Sequence, residues 1–260
     1  MLRLIAAVLP LTLSLMLAGC SSTGYDVLET ASIPKFEDRD PQDFGSITPH
    51  HHKIHGIDVS KWNGDIEWNK VRGSGVSFVF IKATEGGDML DPRFHSYWKG
   101  ARAAGVAHAP YHFYYFCSTA DAQADWFIRN VPKEAVHLPP VLDVEWNPTS
   151  PTCTTRPPAA TVRAEMKRFM DRIQAHYGKR PVIYTSVDFH RDNLVGAFKD
   201  YHFWVRSVAA HPKEIYPGRQ WAFWQYTSTG VIPGISGGTD INVFAGDDRS
   251  WKKWIASAGR

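Results

Sequence analysis

The chain has 260 residues, of which 43% are hydrophobic and 21% are charged. This composition excludes a disordered or fibrous protein and is typical of one globular domain with a sizeable core. The net charge of +3 is too small and too evenly spread to indicate a nucleic-acid partner. Aromatic residues make up 13% of the chain, which suits a ring-rich core and also a surface that stacks on sugars.

The first residues have the features of an export signal. An apolar run follows a basic residue, contains Pro10, and is too short to predict a membrane span. Its end, LAGC, resembles the lipobox of bacterial lipoproteins, in which the cysteine becomes the lipidated N-terminus. We therefore expect residues 1–19 to be a signal peptide and Cys20 to anchor the protein in the cell envelope through a lipid. Ser21 after the cysteine favours the outer membrane, facing the periplasm, if the bacterium has two membranes.

Residues 20–54 have few apolar side chains and a mildly acidic cluster, which predicts a flexible linker. A flexible coil of this length would span roughly 30 Å and let a domain move near its anchor. His50, His51, His52 and His55 look like metal ligands. Since no cysteine or carboxylate accompanies them at a fixed spacing, we predict no metal site here.

Residues 55–260 alternate between strand-like and helical patterns, which predicts a single α/β domain of the TIM-like barrel type. Several of the strand-like runs are apolar on both faces, as buried parallel strands are. The last three runs leave no room for helices between them, so we expect partly antiparallel connections there. The eight runs are 55–62, 77–84, 109–116, 138–146, 180–186, 202–208, 222–228 and 240–246.

The fourth strand-like run, LPPVLDVEW, ends with Asp143 and Glu145. Side chains two residues apart on a strand point to the same face, with Cα atoms roughly 6.6 Å apart. Like charges this close raise at least one pKa, which places a protonated acid beside an ionised carboxylate. That pair suits glycoside hydrolysis. By itself, however, the pattern also describes two acids at a solvated strand end.

Other acids lie where the barrel would bring them to the same pair. Reactive groups of such barrels lie at the carboxyl ends of the strands. Asp58 lies in the first strand and Asp240 opens the eighth, so four carboxylates from three strands are expected to converge. Taken singly, Asp58 could instead cap a turn, and Asp240 could be a turn residue.

Seven stretches, in order and in register, resemble the family-25 glycoside hydrolases, the bacterial and phage N-acetylmuramidases. The resemblance covers residues 55–246. The stretches are GIDVSKWNGDIEW, FIKATEG, DPRFHSYWKGARAAGV with YHFYYF, ADAQADWF, PPVLDVE, RPVIYTS and WAFWQYTSTGVIPGISGGTDINVF.

The resemblance implies an irregular (β/α)5β3 barrel that hydrolyses the β-1,4 bond between N-acetylmuramic acid and N-acetylglucosamine in peptidoglycan, without a cofactor. Glu145 matches the family's general acid, and Asp143, Asp58 and Asp240 match its companion acids. Both a nucleophilic carboxylate and the substrate's own N-acetyl group fit the second step. We expect a monomer, with glycan strands as its partner and a membrane reached through the lipid.

Three rings stand where the family contacts sugar: Tyr111, Tyr184 and Trp224. Packing in the core is the alternative for each of them. The chain also departs from the family at two places. Pro110 replaces a small residue, and the sixth strand reads WVRSV where a small residue and a tyrosine commonly follow the tryptophan. These departures concern the shape of the groove and not the acids.

Two other readings remain open at this stage. One is a tethered peptidoglycan-binding protein without turnover, although the retention of all four acids speaks against it. The other is a hydrolase of a different N-acetylated glycan.

The cysteines suggest a further feature. Cys117 and Cys153 follow the third and fourth strands, so both lie in loops at the same rim. Export to an oxidising compartment makes a disulfide between them a reasonable expectation. Two buried free thiols are the alternative.

Overall fold

The computed structural model describes residues 36–257 of the chain. The expected signal peptide and Cys20 lie outside these residues. Eight strands form a closed ring, and two short strands, β1 (Glu37–Asp38) and β4 (Met89–Leu90), pair with it from outside. The ring consists of β2 (His55–Val59), β3 (Val76–Glu85), β5 (Ala107–Phe113), β6 (Val141–Val144), β7 (Val182–Thr185), β8 (Phe203–Arg206), β9 (Phe223–Val231) and β10 (Thr239–Phe244).

Strand direction determines which side chains share a rim. The ring strands pair in parallel from β2 through β9, and β10 closes the ring antiparallel to both β9 and β2. The amino end of β10 therefore lies beside the carboxyl ends of the other seven strands. The barrel predicted from the sequence is confirmed, including the antiparallel pairing at its end.

A helix follows each of the first five ring strands, which gives the (β/α)5β3 order. These helices are α1 (Trp68–Gly73), α2 (Phe94–Ala103), α3 (Ala120–Asn130), α4 (Ala159–Tyr177) and α5 (Val187–Asn193). Two further helices, α6 (Pro212–Ile215) and α7 (Asp248–Ser257), were not predicted. Within residues 36–257, none of the helices has the length and apolar character that a membrane span requires.

Aromatic rings fill the interior of the barrel. The ring of Trp204 lies 4.2 Å from that of Phe80 and 4.3 Å from that of Tyr184, measured between centroids. At the amino ends of the strands, Trp251 and Trp254 of α7 are stacked 5.7 Å apart and are largely buried. The interior is packed with rings and α7 covers the amino ends of the strands. A polar site can therefore form only at the opposite rim, at the carboxyl ends of the parallel strands.

Residues 36–54, here called the N-terminal strap, pack on the barrel. Strand β1 pairs with β9, the ring of Phe44 meets that of Trp224 edge-on at 5.1 Å, and Pro49 is buried. A flexible linker was predicted up to residue 54, and that prediction is wrong for the strap. Phe36 and Phe44 pack against the barrel core, which a low average apolar content does not reveal.

Candidate active site

The structure brings the four predicted acids to one rim. Asp58 and Asp240 are direct partners across the β2–β10 ladder. Side chains of directly opposed residues share a face, with Cβ atoms about 4.5–5.5 Å apart. Asp143 lies on β6, and Glu145 follows that strand directly. The charge of Asp58 raises the pKa values of the other three acids, so the four groups lie within electrostatic range of one another.

Two amide side chains fix the orientation of Asp58. Gln225 Nε2 and Asn242 Nδ2 each donate a hydrogen bond of 2.9 Å to Asp58 Oδ2. The amide oxygens in turn accept from Tyr184 OH at 2.9 Å and from Trp204 Nε1 at 2.7 Å. Burial raises the pKa of Asp58 to about 6, although both amides favour its ionised form. The sequence analysis did not identify either amide.

Asp143 lacks the amide partners that hold Asp58. Its side chain is buried, and its Oδ1 accepts no hydrogen bond from the described residues. Burial, and then the neighbouring Glu145, raise its pKa well above the usual range, while Lys82 opposes the shift. Because buried polar atoms are nearly always paired, Oδ1 is available to accept a hydrogen bond from a group that enters the cleft.

Glu145 is half-buried and carries a proton over an unusually wide pH range. Burial raises its pKa to about 7, the charge of Arg206 lowers it, and Asp188 raises it. For Asp240, burial and then Asp58 raise the pKa well above its usual value, again against Arg206. A carboxylic acid that is still protonated near neutral pH meets the main requirement for a general acid.

Two cations face these acids, and the sequence analysis singled out neither of them. Lys82 pairs with Glu85 at 2.5 Å. Arg206 ends β8 and follows Trp204 by two residues, so it shares the inward face. The departure WVRSV was the only signal in the sequence that pointed towards Arg206.

The three predicted sugar-contacting rings have different positions. Tyr111 and Tyr184 lie inside the barrel near the acids and are 9% and 5% exposed, so their contact with sugar stays a prediction. Trp224 is fully buried, and its Nε1 donates to the carbonyl of Ser207 at 2.7 Å. It packs under the N-terminal strap outside the barrel, so the prediction that it contacts sugar is wrong. Its neighbour Gln225 points inward instead.

An exposed indole lies at the same rim. Trp62 belongs to the short 3-10 helix Lys61–Asn63, directly after β2, and is 82% exposed. Lys61 Nζ lies 4.8 Å from the centroid of its ring. An aromatic ring that is open to water at this rim is suited to stacking on a sugar ring. The sequence analysis quoted this motif without identifying Trp62.

The predicted disulfide is confirmed. Cys117 and Cys153 are bonded, with Cα atoms 5.8 Å apart, and join the loop after β5 to the loop after β6. Together with Glu85 and Tyr115, the bridge lines a cavity of about 620 Å³ beside the acids.

His52 of the strap and His55, the first residue of β2, pack within the fold. His55 is buried and its Nε2 lies 2.9 Å from the carbonyl oxygen of His52. Burial lowers the pKa of His52 to about 4 and that of His55 to about 3, so both rings are neutral at physiological pH. Within the part of the chain that the structure describes, no group of three or more His, Cys, Asp or Glu side chains is placed to hold a metal ion.

Comparison with known proteins agrees with this geometry. The sequence profile of "Glycosyl hydrolases family 25" matches residues 57–235. The chain belongs to this family. The match includes Asp58, Asp143 and Glu145, and Asp240, which pairs with Asp58 across the β2–β10 ladder, lies beyond its end.

Relatives from several bacteria resemble the chain over most of its length. It is 34% identical to the protein YegX of Escherichia coli O157:H7 over 225 residues, which cover 84% of this chain and 79% of that protein. It is 36% identical to Lysozyme M1 of Streptomyces globisporus, over 74% of this chain and 68% of that protein. A solved family-25 glycosyl hydrolase from Bacillus anthracis superposes with a TM-score of 0.72 at 31% identity, covering 84% of this chain and 98% of that one.

Proposed function

We propose that this protein is a muramidase that hydrolyses the β-1,4 bond between N-acetylmuramic acid and N-acetylglucosamine in peptidoglycan. The observation that carries the proposal is the rim of four carboxylates in a family-25 barrel. Relatives named lysozyme and N,O-diacetylmuramidase support the choice of substrate.

In this proposal Glu145 donates the proton to the leaving oxygen of the glycosidic bond. Its pKa of about 7 keeps the acid form populated up to neutral pH. The causes are physical: the side chain is withdrawn from water, and neighbouring carboxylates oppose its ionisation. None of the other three acids combines this position at the end of β6 with partial exposure to an incoming glycan.

The companion acids stabilise the positive charge that develops on the sugar. Asp143 has an oxygen without a partner beside Glu145, so it can accept a hydrogen bond from the substrate or face the reacting carbon. Asp58 is held by its two amides and acts as a fixed charge rather than as a mobile group. Because one chain supplies all four acids, the proposed enzyme works as a monomer.

The products of digestion test this assignment. Purified peptidoglycan is incubated with the enzyme, the new reducing ends are reduced with borohydride, and the reduced sugars are identified. A muramidase produces reduced muramic acid. Reduced glucosamine, or cleavage of chitin at a comparable rate, would support the hydrolase of another glycan. Binding to peptidoglycan without any soluble product would support the binding protein.

We also propose that the enzyme is a lipoprotein, anchored through Cys20 in the cell envelope and, in a bacterium with two membranes, in the outer one. The LAGC sequence after an apolar run supports this proposal. Intact-mass analysis of protein extracted from membranes should show acyl chains, and the Cys20→Ser variant should lack them. An unmodified wild-type protein that begins elsewhere would contradict the anchor.

A further inference from the structure

The side chain of Arg206 is the unusual feature of the rim. It is the last residue of β8 and is half-buried. Two residues earlier on the strand, Trp204 lies inside the barrel, so alternation places Arg206 on the inward face at the carboxyl end. In the ladder it is the partner of Gln225, which donates to Asp58. The guanidinium therefore faces the cleft that the four acids share.

The guanidinium acts electrostatically on Asp58, Glu145 and Asp240, but within residues 36–257 it makes neither a hydrogen bond nor an ion pair. The other inward cation, Lys82, is paired with Glu85. Arg219, in the loop after α6, is also occupied, since it donates to the carbonyl oxygens of Leu194 and Ala197. A planar group with five N–H donors thus has no hydrogen-bond acceptor among the described residues of the site. Its geometry matches a carboxylate, which it binds through two parallel hydrogen bonds.

The substrate of a muramidase carries such carboxylates, so this step rests on the proposed function. Muramic acid differs from glucosamine by a lactyl ether at O3. The lactyl carboxylate is free where the glycan has no peptide and forms an amide where a stem peptide is attached. The stem peptide has carboxylates of its own. N-acetylglucosamine has none, so a cation in the cleft distinguishes the two sugars by charge.

We propose that Arg206 is a specificity-determining residue that binds a carboxylate of the muramic acid substituent. This carboxylate can belong either to the lactyl group or to the stem peptide. In WVRSV, Arg206 stands where the resemblance places a tyrosine, and this departure is consistent with the role, since it adds a charged donor to the cleft and leaves the acids unchanged.

Matched pairs of substrates test the proposal. The first pair is stem-free glycan with free lactyl carboxylates and the same glycan with these groups converted to methylamides. The second pair is stem-bearing glycan before and after methylamidation of the stem carboxylates. For each pair, the ratio of kcat/KM on the acid form to kcat/KM on the amide form is measured. The full chain is used as wild type, Arg206→Met, Arg206→Lys and Arg180→Met.

Wild type should prefer the acid form in one of the pairs by on the order of 10- to 100-fold, the range for a charge-assisted hydrogen bond. Arg206→Met should bring that ratio close to one, because its effect on the charge of the catalytic acids is the same for both forms and cancels in the ratio. Arg206→Lys, which keeps the charge and loses the fork, should give an intermediate ratio. Arg180 precedes β7 at the opposite end of the barrel and pairs with Asp200, so Arg180→Met should behave as wild type.

The pair that shows the preference identifies the source of the carboxylate. A wild-type ratio near one in both pairs would overturn the proposal, and this result needs no variant to fold. Equal losses on acid and amide forms in Arg206→Met would also overturn it, because they would show that Arg206 acts only on the charge of the catalytic acids. If wild type cleaves none of the four substrates, it is the proposed function that fails.

Discussion

At the level of single residues, Asp143 and Glu145 are two residues apart in the chain and differ in their burial. Asp143 is buried within β6, whereas Glu145 follows the strand and is half-buried. Burial raises both pKa values, and the charge of Glu145 adds to the shift of Asp143. The pair therefore holds a proton that two surface carboxylates would have lost well below neutral pH.

Substitution of Asp143 should reduce activity and increase stability. Asp143→Asn removes the charge beside the reacting carbon, so we expect kcat to fall by at least about 10²-fold. The pKa of Asp143 is raised in the folded protein, so its ionisation becomes more costly to the folded state as the pH rises above the unfolded-state value. The variant should therefore resist urea better than wild type at pH 8, and this advantage should disappear near pH 3. Equal or lower stability at pH 8 would contradict the assigned burial of charge.

Trp62 should contribute to binding and not to chemistry. Its exposed ring lies at the rim, so Trp62→Ala should raise KM about 5- to 30-fold, corresponding to a stacking energy of about 1–2 kcal/mol. The value of kcat should change little. Trp62→Phe keeps an aromatic face and should recover most of the affinity in the same steady-state assay. A fall in kcat at unchanged KM would exclude stacking as its role.

At the level of elements, the disulfide joins two rim loops that are separated by 36 residues. Closing a loop of this length contributes about 3–4 kcal/mol by the chain-entropy estimate. The double variant Cys117→Ser with Cys153→Ser should therefore unfold at lower urea concentration. Wild type measured in strong reductant serves as the control and should show a similar loss. An unchanged urea midpoint in both would mean that the bridge does not stabilise the fold.

The N-terminal strap should contribute stability without affecting chemistry. Phe44 packs on Trp224, which faces away from the cleft. Because Phe44 is only partly buried, Phe44→Ala should lower the free energy of unfolding by about 1–3 kcal/mol, less than for a fully buried ring. Ile47, 48% exposed on the same strap, is the control, and Ile47→Ala should cost less than about 0.5 kcal/mol. Activity at 25 °C should be normal in both variants. If Phe44→Ala is as stable as wild type, the strap does not contribute to the free energy of unfolding of the domain.

At the level of the whole molecule, the sequence was sufficient for the barrel because its parallel strands are apolar on both faces and are separated by clear helix patterns. It was not sufficient for the inward and outward faces of β9. The run AFWQYTS places bulky rings at successive positions, so no alternation indicates that Gln225 and not Trp224 points into the barrel. The partners of Asp58 and the position of Arg206 depend on the same alternation, and they became visible only once the strands were in register.

The most direct measurement is turnover by Glu145→Gln, which keeps the shape of the side chain and removes its transferable proton. On purified peptidoglycan, kcat should fall by about 10²–10⁴-fold, while sedimentation with insoluble peptidoglycan should match that of wild type. Glu134→Gln is the matched control, since Glu134 is exposed and precedes β6 at the far end of the barrel, and it should keep full activity. A near-normal rate of bond cleavage by Glu145→Gln would contradict its role as the proton donor.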